Sequence, residues 1–183
     1  VPKWQPTLAA LGTALRLNPG NADVLVEWAR TNLNLGHWDN AVRAARKALT
    51  MEPISVYVNH LMGHILYFSR QYEEAIPAFR RTLELNPNFP KPRYFMAMAH
   101  HWMGDSKTAW EVIQEEPLEW MRVCGSAVIL HKLGRTGEAR EALERLIEMG
   151  LEETNDIQQA DVYAQMGDHD QAIASLQKAV DMC

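Results

Sequence analysis

Apolar and small residues recur along this chain with the 3.6-residue period of amphipathic helices, and the whole pattern returns about every 34 residues. The repeated phrase is a small residue, a turn, an aromatic residue, Ala, an apolar or small residue and Pro. One copy has Ala29, Gly36, Trp38, Ala41, Ala48 and Pro53. The next copy has Gly63, Tyr72, Ala75, Leu83 and Pro87. The pattern predicts an all-α, right-handed superhelix (an α-solenoid) built from helix-turn-helix units.

The small residues mark places where two helices approach closely, since a larger side chain at Ala29 or Ala41 would push the helices apart. Proline ends each unit because it lacks the N–H donor and disfavours helix in the residue before it. Two prolines depart from this plan. Pro117 predicts a shortened second helix in its unit, and Pro77 predicts a helix that either starts late or bends.

Aligning the copies gives about five and a half units in a single domain, residues 1–183. A half unit spans 6–21, and the full units span 22–55, 56–89, 90–119, 120–152 and 153–183. The chain begins with Val and opens in the middle of a unit, so we expect it to be a fragment of a longer protein. The terminal helices, 6–17 and 170–182, carry apolar faces that predict dimerisation through uncapped ends.

These spacings resemble those of tetratricopeptide repeat proteins over nearly the whole chain. A second resemblance, to the repeat tails of bacterial adenylate cyclase-like and winged-helix regulators, rests on 117–122 (PLEWMR), 130–135 (LHKLGR), 138–140 (EAR) and 161–168 (DVYAQMGD). It implies an interaction or sensory region of a bacterial signalling protein.

Composition narrows the function classes. The 183 residues are 47% hydrophobic and carry 18 basic and 23 acidic side chains, a net charge of -5. No basic stripe favours nucleic acid, and no apolar run reaches the roughly 18–20 residues of a membrane span. Two cysteines weakly indicate a reducing compartment, so we expect a cytoplasmic protein. A periplasmic location would require a membrane span upstream.

The first helix of each unit is expected to line a concave groove that binds a protein or peptide partner. Its inward positions form an aromatic, histidine-rich and weakly basic surface, suited to a peptide with apolar anchors and some acidic character. The predicted partner-binding residues are Arg30, Asn34, His60, His64, Tyr67, Tyr94, Met98, His101, Trp102 and His131. The alternative is that aromatic residues such as Tyr67, Phe68 and Trp102 pack against the next helix instead.

Two further readings compete with a peptide groove. His60 and His64 have the i, i+4 spacing of metal ligands, with His101 as a candidate third ligand, but the Glu of the metalloprotease motif is replaced by Leu61. We therefore predict no metal and no cofactor. No phosphate loop or nucleophile elbow appears, and Cys124 and His131 lie two helical turns apart, so we predict no catalytic residues and no enzyme activity. Self-association and a small-molecule or metal-binding groove remain the alternatives to a protein-interaction scaffold.

Overall fold

A computed structural model of the protein describes residues 4–150 and 155–181. Within these ranges the chain forms α-helices and no strand, which confirms the predicted all-helical class. The helices are α1 (Trp4–Leu17), α2 (Ala22–Asn34), α3 (Trp38–Met51), α4 (Val56–Phe68), α5 (Tyr72–Leu85), α6 (Pro92–Trp102), α7 (Ser106–Ile113), α8 (Glu119–Lys132), α9 (Thr136–Glu148), α10 (Asn155–Gln165) and α11 (His169–Asp181). None of these helices is long and apolar enough to cross a membrane.

The described residues form two compact units that divide between Phe95 and Met96. The N-terminal unit contains α1–α5 and the start of α6, and the C-terminal unit contains the remainder. In the first unit α2 packs against α3 and α4 against α5; in the second, α8 packs against α9 and α10 against α11. A single domain with the repeat boundaries given above stays a prediction.

Small residues lie where the helices of a pair approach each other, as the sequence predicts. Ala29, Ala41, Ala75, Ala127 and Ala139 are each 0% exposed. Gly63 shows the constraint most directly, because a Cβ atom built there would lie 2.6 Å from the ring of Phe79. The side-chain size at these positions therefore sets the distance between paired helices.

The turn between the two helices of a pair uses one backbone geometry throughout. Gly36, Gly104, Gly134 and Gly167 have φ between 72° and 87°, in the left-handed region that glycine adopts without strain. Each donates its N–H to the carbonyl three residues earlier, and the next residue donates to the carbonyl five residues earlier. Arg70 occupies this position in one turn, with φ 62° and the same two hydrogen bonds.

Replacing Arg70 by Gly is expected to raise the free energy of unfolding by about 0.5–1 kcal/mol. The gain is the relief of left-handed strain, partly offset by the greater freedom of glycine in the unfolded chain. Urea denaturation followed by circular dichroism measures it. The matched control is Gly134→Ala, where no atom lies within 4 Å of the added Cβ, so only backbone strain should destabilise the chain. An unchanged or less stable Arg70→Gly variant would contradict this account.

The two irregular prolines have different effects on their helices. Helix α7 has 8 residues where α3 and α5 have 14, which confirms the shortening predicted from Pro117. Helix α5 begins at Tyr72 and continues through Pro77, so the predicted late start is wrong. The side chain of Pro77 is exposed, on the outer side of the helix where it displaces no core residue.

The terminal helices also differ from one another. Leu8, Leu11 and Leu15 are half-buried rather than bare, because α1 packs against α2. On α11, Ile173, Leu176 and Val180 are 65%, 49% and 67% exposed, as the sequence predicts. Only α11 therefore presents the expected apolar face.

Candidate functional site

Helix α4 carries a buried cluster of histidine and phenylalanine rings in the N-terminal unit. The ring centroids of His60 and His64 lie 4.2 Å apart, as expected for residues one helical turn apart on one face. Phe89 lies 4.9 Å from His60, and Phe95 lies 4.3 Å from His64. Phe79 of α5 stacks on Phe95 at 5.7 Å and 15°. His60 is 8% exposed and His64 is half-buried, so both of these predicted groove histidines pack within the ring cluster.

The cluster is apolar enough to hold both imidazoles neutral. Burial lowers the pKa of His60 to about 4, with a further contribution from the positive charge of Lys91. Burial lowers the pKa of His64 to about 3, with smaller contributions from His60 and Lys91. Neither Nδ1 of His60 nor Nε2 of His64 has a hydrogen-bond partner among the described residues. Both histidines therefore act as aromatic core residues at neutral pH.

The same contacts bear on metal binding. Two neutral imidazoles supply two nitrogen ligands, whereas a structural zinc site closes with four ligands. Among residues 4–150 and 155–181, no group of three or more His, Cys, Asp or Glu side chains is placed to hold a metal ion. His60 and His64 thus have the spacing of metal ligands without a full ligand set.

Exposed side chains of α2 and α4 form a surface that we call the α2–α4 face: Arg30, Asn34, Tyr57 and Phe68. Tyr57 and Phe68 are 47% and 48% exposed and lie three turns apart on one side of α4. Arg30 and Asn34, both exposed, lie one turn apart on α2. The Arg30 guanidinium pairs with Glu27, with Nη2 and Oε2 2.5 Å apart, and this carboxylate is the main reason that the pKa of Arg30 is raised. The phenol of Tyr57 raises the pKa of Arg30 further, by a smaller amount.

Other predicted groove residues in this unit are partly covered. The ring of Tyr67 lies 5.2 Å from Phe95 and 5.5 Å from Tyr72. Tyr94 lies 5.2 Å from Phe95, and both tyrosines are half-buried. The alternative reading of the aromatic residues therefore applies to Tyr67, which packs against α6, while Phe68 keeps half of its surface.

In the C-terminal unit the predicted residues separate into buried and exposed ones. Met98 is 1% exposed and His101 is 8% exposed, so neither presents its side chain at the surface as a groove residue should. Burial lowers the pKa of His101, with a smaller effect from Lys132. Trp102 is 48% exposed with its ring 5.2 Å from His101, and His131 is half-buried. Trp102 is thus the large exposed aromatic among the predicted residues of this unit.

Comparison with known proteins identifies the repeats. Tetratricopeptide repeat models match residues 56–89 and, separately, residues 124–149 and 157–183. These three segments are recognised as tetratricopeptide repeats. A curated relative, small glutamine-rich tetratricopeptide repeat-containing protein 2 of Mycosarcoma maydis, is 28% identical over 81 residues. That match covers 44% of this chain and 23% of the relative, so the chain spans about a quarter of the relative's length.

Several solved structures share the fold at low sequence identity. PilW, a type IV pilus biogenesis factor, has a TM-score of 0.73 at 18% identity, over 96% of this chain and 84% of PilW. Cut9–Hcn1 of the APC/C also has a TM-score of 0.73, at 16% identity, over 97% of this chain and 36% of the matched chain. YrrB, a repeat protein described as having an unusual peptide-binding site, has a TM-score of 0.60 at 18% identity, over 94% of this chain and 91% of YrrB. These similarities confirm the predicted fold class.

Proposed function

We propose that this chain is a non-catalytic scaffold that binds a partner protein or peptide through the α2–α4 face. The observation that carries the proposal is the pair of half-exposed aromatic side chains, Tyr57 and Phe68, on one side of α4 beside Arg30. Large aromatic side chains that are partly solvated in the free protein are typical anchors of binding energy in interfaces. The tetratricopeptide repeats support a scaffold role, since proteins of this fold commonly present such surfaces to partners.

The chemistry of the face selects the partner class. Arg30 and Lys91 are exposed cations, and the charge of Lys91 reaches His60 on α4. Glu27 pairs with Arg30 in the free protein, and an incoming carboxylate would replace or share that pair. A segment with aromatic or aliphatic anchors and acidic side chains complements this surface. Within the N-terminal unit we extend the proposed contact set to the half-buried Tyr67 and Tyr94, and we leave out His60 and His64, whose rings belong to the cluster. In the C-terminal unit Trp102 is a separate candidate contact, and the buried Met98 and His101 are left out.

The biological setting is a further part of the proposal. A sensory or docking region in a cytoplasmic regulatory protein is supported by the resemblance to bacterial regulator tails, which rests on residues 117–122, 130–135, 138–140 and 161–168.

Self-association is the second candidate function, favoured by the exposed Ile173, Leu176 and Val180 of α11. Sedimentation of the parent chain at several concentrations separates a homodimer from a scaffold for another protein.

Alanine substitution at Tyr57 or Phe68 is expected to weaken partner binding by about 1–4 kcal/mol. The reason is that each aromatic ring would become buried against the partner, and alanine lacks the ring that makes these contacts. The partner is first recovered by pull-down, and its affinity is then measured by calorimetry. Arg43→Ala, on the exposed side of α3, is the control and should change the affinity little.

Each variant must retain the helix content and melting temperature of the parent before its affinity is interpreted. Folded Tyr57→Ala and Phe68→Ala chains that both bind as tightly as the parent would refute the α2–α4 face as the site. The apolar face of α11 would then be the next candidate for the partner-binding site.

A further inference from the structure

The C-terminal unit contains an open cleft of about 540 Å³ between α9 and α11, lined also by residues of α8 and α10. Its apolar side is formed by Leu143, Ile147 and Met166, and the ring of Tyr163 also lines it. Its size falls within the range of ordinary ligand sites. The cleft lies in a different unit from the α2–α4 face, so a ligand of the cleft would bind independently of that face.

The repeat register provides an internal comparison for this cleft. In the N-terminal unit, Arg46 of α3 reaches across to Glu74 of α5, with Nη2 and Oε2 3.2 Å apart. The equivalent positions in the C-terminal unit, counted from the small residues Ala29, Gly63, Ala127 and Ala160, are Glu144 of α9 and Gln171 of α11. A carboxylate thus stands where the N-terminal unit has a guanidinium, and among residues 4–150 and 155–181 no ion pair joins α9 to α11.

Two charged side chains of the cleft have no charged partner in the part of the chain that the structure describes. Glu144 and Arg140 make no ion pair or hydrogen bond with the side chains of residues 4–150 and 155–181. Asp168 uses Oδ1 to accept the backbone N–H of Gln171, which leaves its other carboxylate oxygen for a ligand. Two carboxylates against one guanidinium give the cleft a net negative charge, which favours a cationic occupant.

A buried polar atom in the cleft wall also lacks a partner. Nδ1 of His131 is buried, and none of the described residues forms a hydrogen bond with it. An incoming N–H group would find the carboxylates of Glu144 and Asp168 on the cleft wall, with the imidazole of His131 beside them.

We propose that this cleft binds a lysine or arginine side chain from a segment of a partner protein. The aliphatic stem of that side chain would cover Leu143, Ile147 and Met166, and its charged end would pair with Glu144 and Asp168. The Tyr163 ring adds a cation–π surface at the same place. The partner's cation takes the role that Arg46 fills between α3 and α5 in the N-terminal unit.

The test uses the 183-residue chain and two fluorescein-labelled peptides, Gly-Leu-Arg-Leu-Gly and the same peptide with Glu in place of Arg. Fluorescence anisotropy at low salt should show binding of the Arg peptide and none of the Glu peptide. The variant Glu144→Gln should raise the dissociation constant of the Arg peptide at least about tenfold, since a charge-assisted hydrogen bond is lost. Glu141→Gln, on the same helix but outside the cleft, should leave the dissociation constant unchanged.

A double variant keeps the result interpretable if Glu144→Gln alters folding. E144R/Q171E copies the Arg46–Glu74 pair into the C-terminal unit, so it should fold, show the helix content of the parent and fail to bind the Arg peptide. The proposal is overturned if the parent binds the Arg peptide no more tightly than about 1 mM. Equal binding of the Glu peptide, or unchanged binding by folded Glu144→Gln, overturns it equally. So does a homodimer that Glu144→Gln dissociates, because the occupant would then be a second copy of this chain.

Discussion

Replacing Phe79 by Ala is expected to lower the free energy of unfolding by about 3–5 kcal/mol, the range found for buried phenylalanines. Phe79 is 0% exposed and stacks on Phe95, with His60 and His64 5.7 and 5.8 Å away. The backbone at Gly63 lies so close to the ring that a Cβ there would clash. Truncation would therefore open a cavity where α4, α5 and the start of α6 meet.

Urea denaturation of the parent and the variant measures this loss. Phe68→Ala is a matched control, because it removes the same side chain at a position that is 48% exposed, and it should cost much less stability. Similar losses for the two variants would show that the ring cluster is not the core of the N-terminal unit. Far-UV circular dichroism distinguishes a destabilised helical array from a chain that no longer folds.

The fold followed from the sequence because one physical constraint recurs at fixed spacing. Close helix approach demands small side chains, so Ala29 and Gly63 mark their helices whatever surrounds them. The turn geometry was harder to predict, since Arg70 takes the left-handed conformation usually reserved for glycine. Backbone hydrogen bonds that the neighbouring residues impose hold Arg70 in that conformation.

The candidate site was harder to derive than the fold. Helical periodicity places His60 and His64 on one face of α4, but it does not say what lies opposite that face. Phe89 and Phe95 lie there and bury the two imidazoles. The same limit applies to Met98 and His101, whose helix positions suited a groove but whose side chains are buried. Tyr57 and Phe68 stay about half exposed at the two ends of α4, although the ring of Phe68 lies 6.0 Å from His64 and 6.1 Å from Phe95.

The cleft of the C-terminal unit was missed although its signal lies in the sequence. Aligning the repeats by their small residues places Arg46 at the same position as Glu144, and Glu74 at the same position as Gln171. The N-terminal copy therefore has a cation and an anion at these positions, and the C-terminal copy has an anion and a neutral amide. Comparing charges between repeats, in addition to apolar residues, would have singled out this surface as a candidate.

Acidification from pH 7 to pH 5 is expected to destabilise the N-terminal unit through His60 and His64. Burial holds their pKa at about 4 and about 3 in the folded chain, below the ordinary value of 6.5. The unfolded chain therefore takes up protons first as the pH falls. Stability is complete above about pH 6.5 and declines below it, until the pH reaches the folded pKa values.

At pH 5 the loss amounts to about 2 kcal/mol for each histidine, since the unfolded chain is mostly protonated there and the folded chain is not. Urea denaturation at pH 7, 6 and 5 measures the loss in the parent and in His60→Leu and His64→Leu, each of which should remove about half of it. The imidazole proton resonances of His60 and His64 should stay at their neutral positions at pH 5.

The positive charge of Lys91 lowers the pKa of both rings, so Lys91→Gln should raise both pKa values slightly and reduce the loss of stability. A variant that carries both His60→Leu and His64→Leu should lose nearly all of this acid sensitivity. If it is as acid-sensitive as the parent, carboxylates elsewhere in the chain cause the destabilisation and the two imidazoles do not.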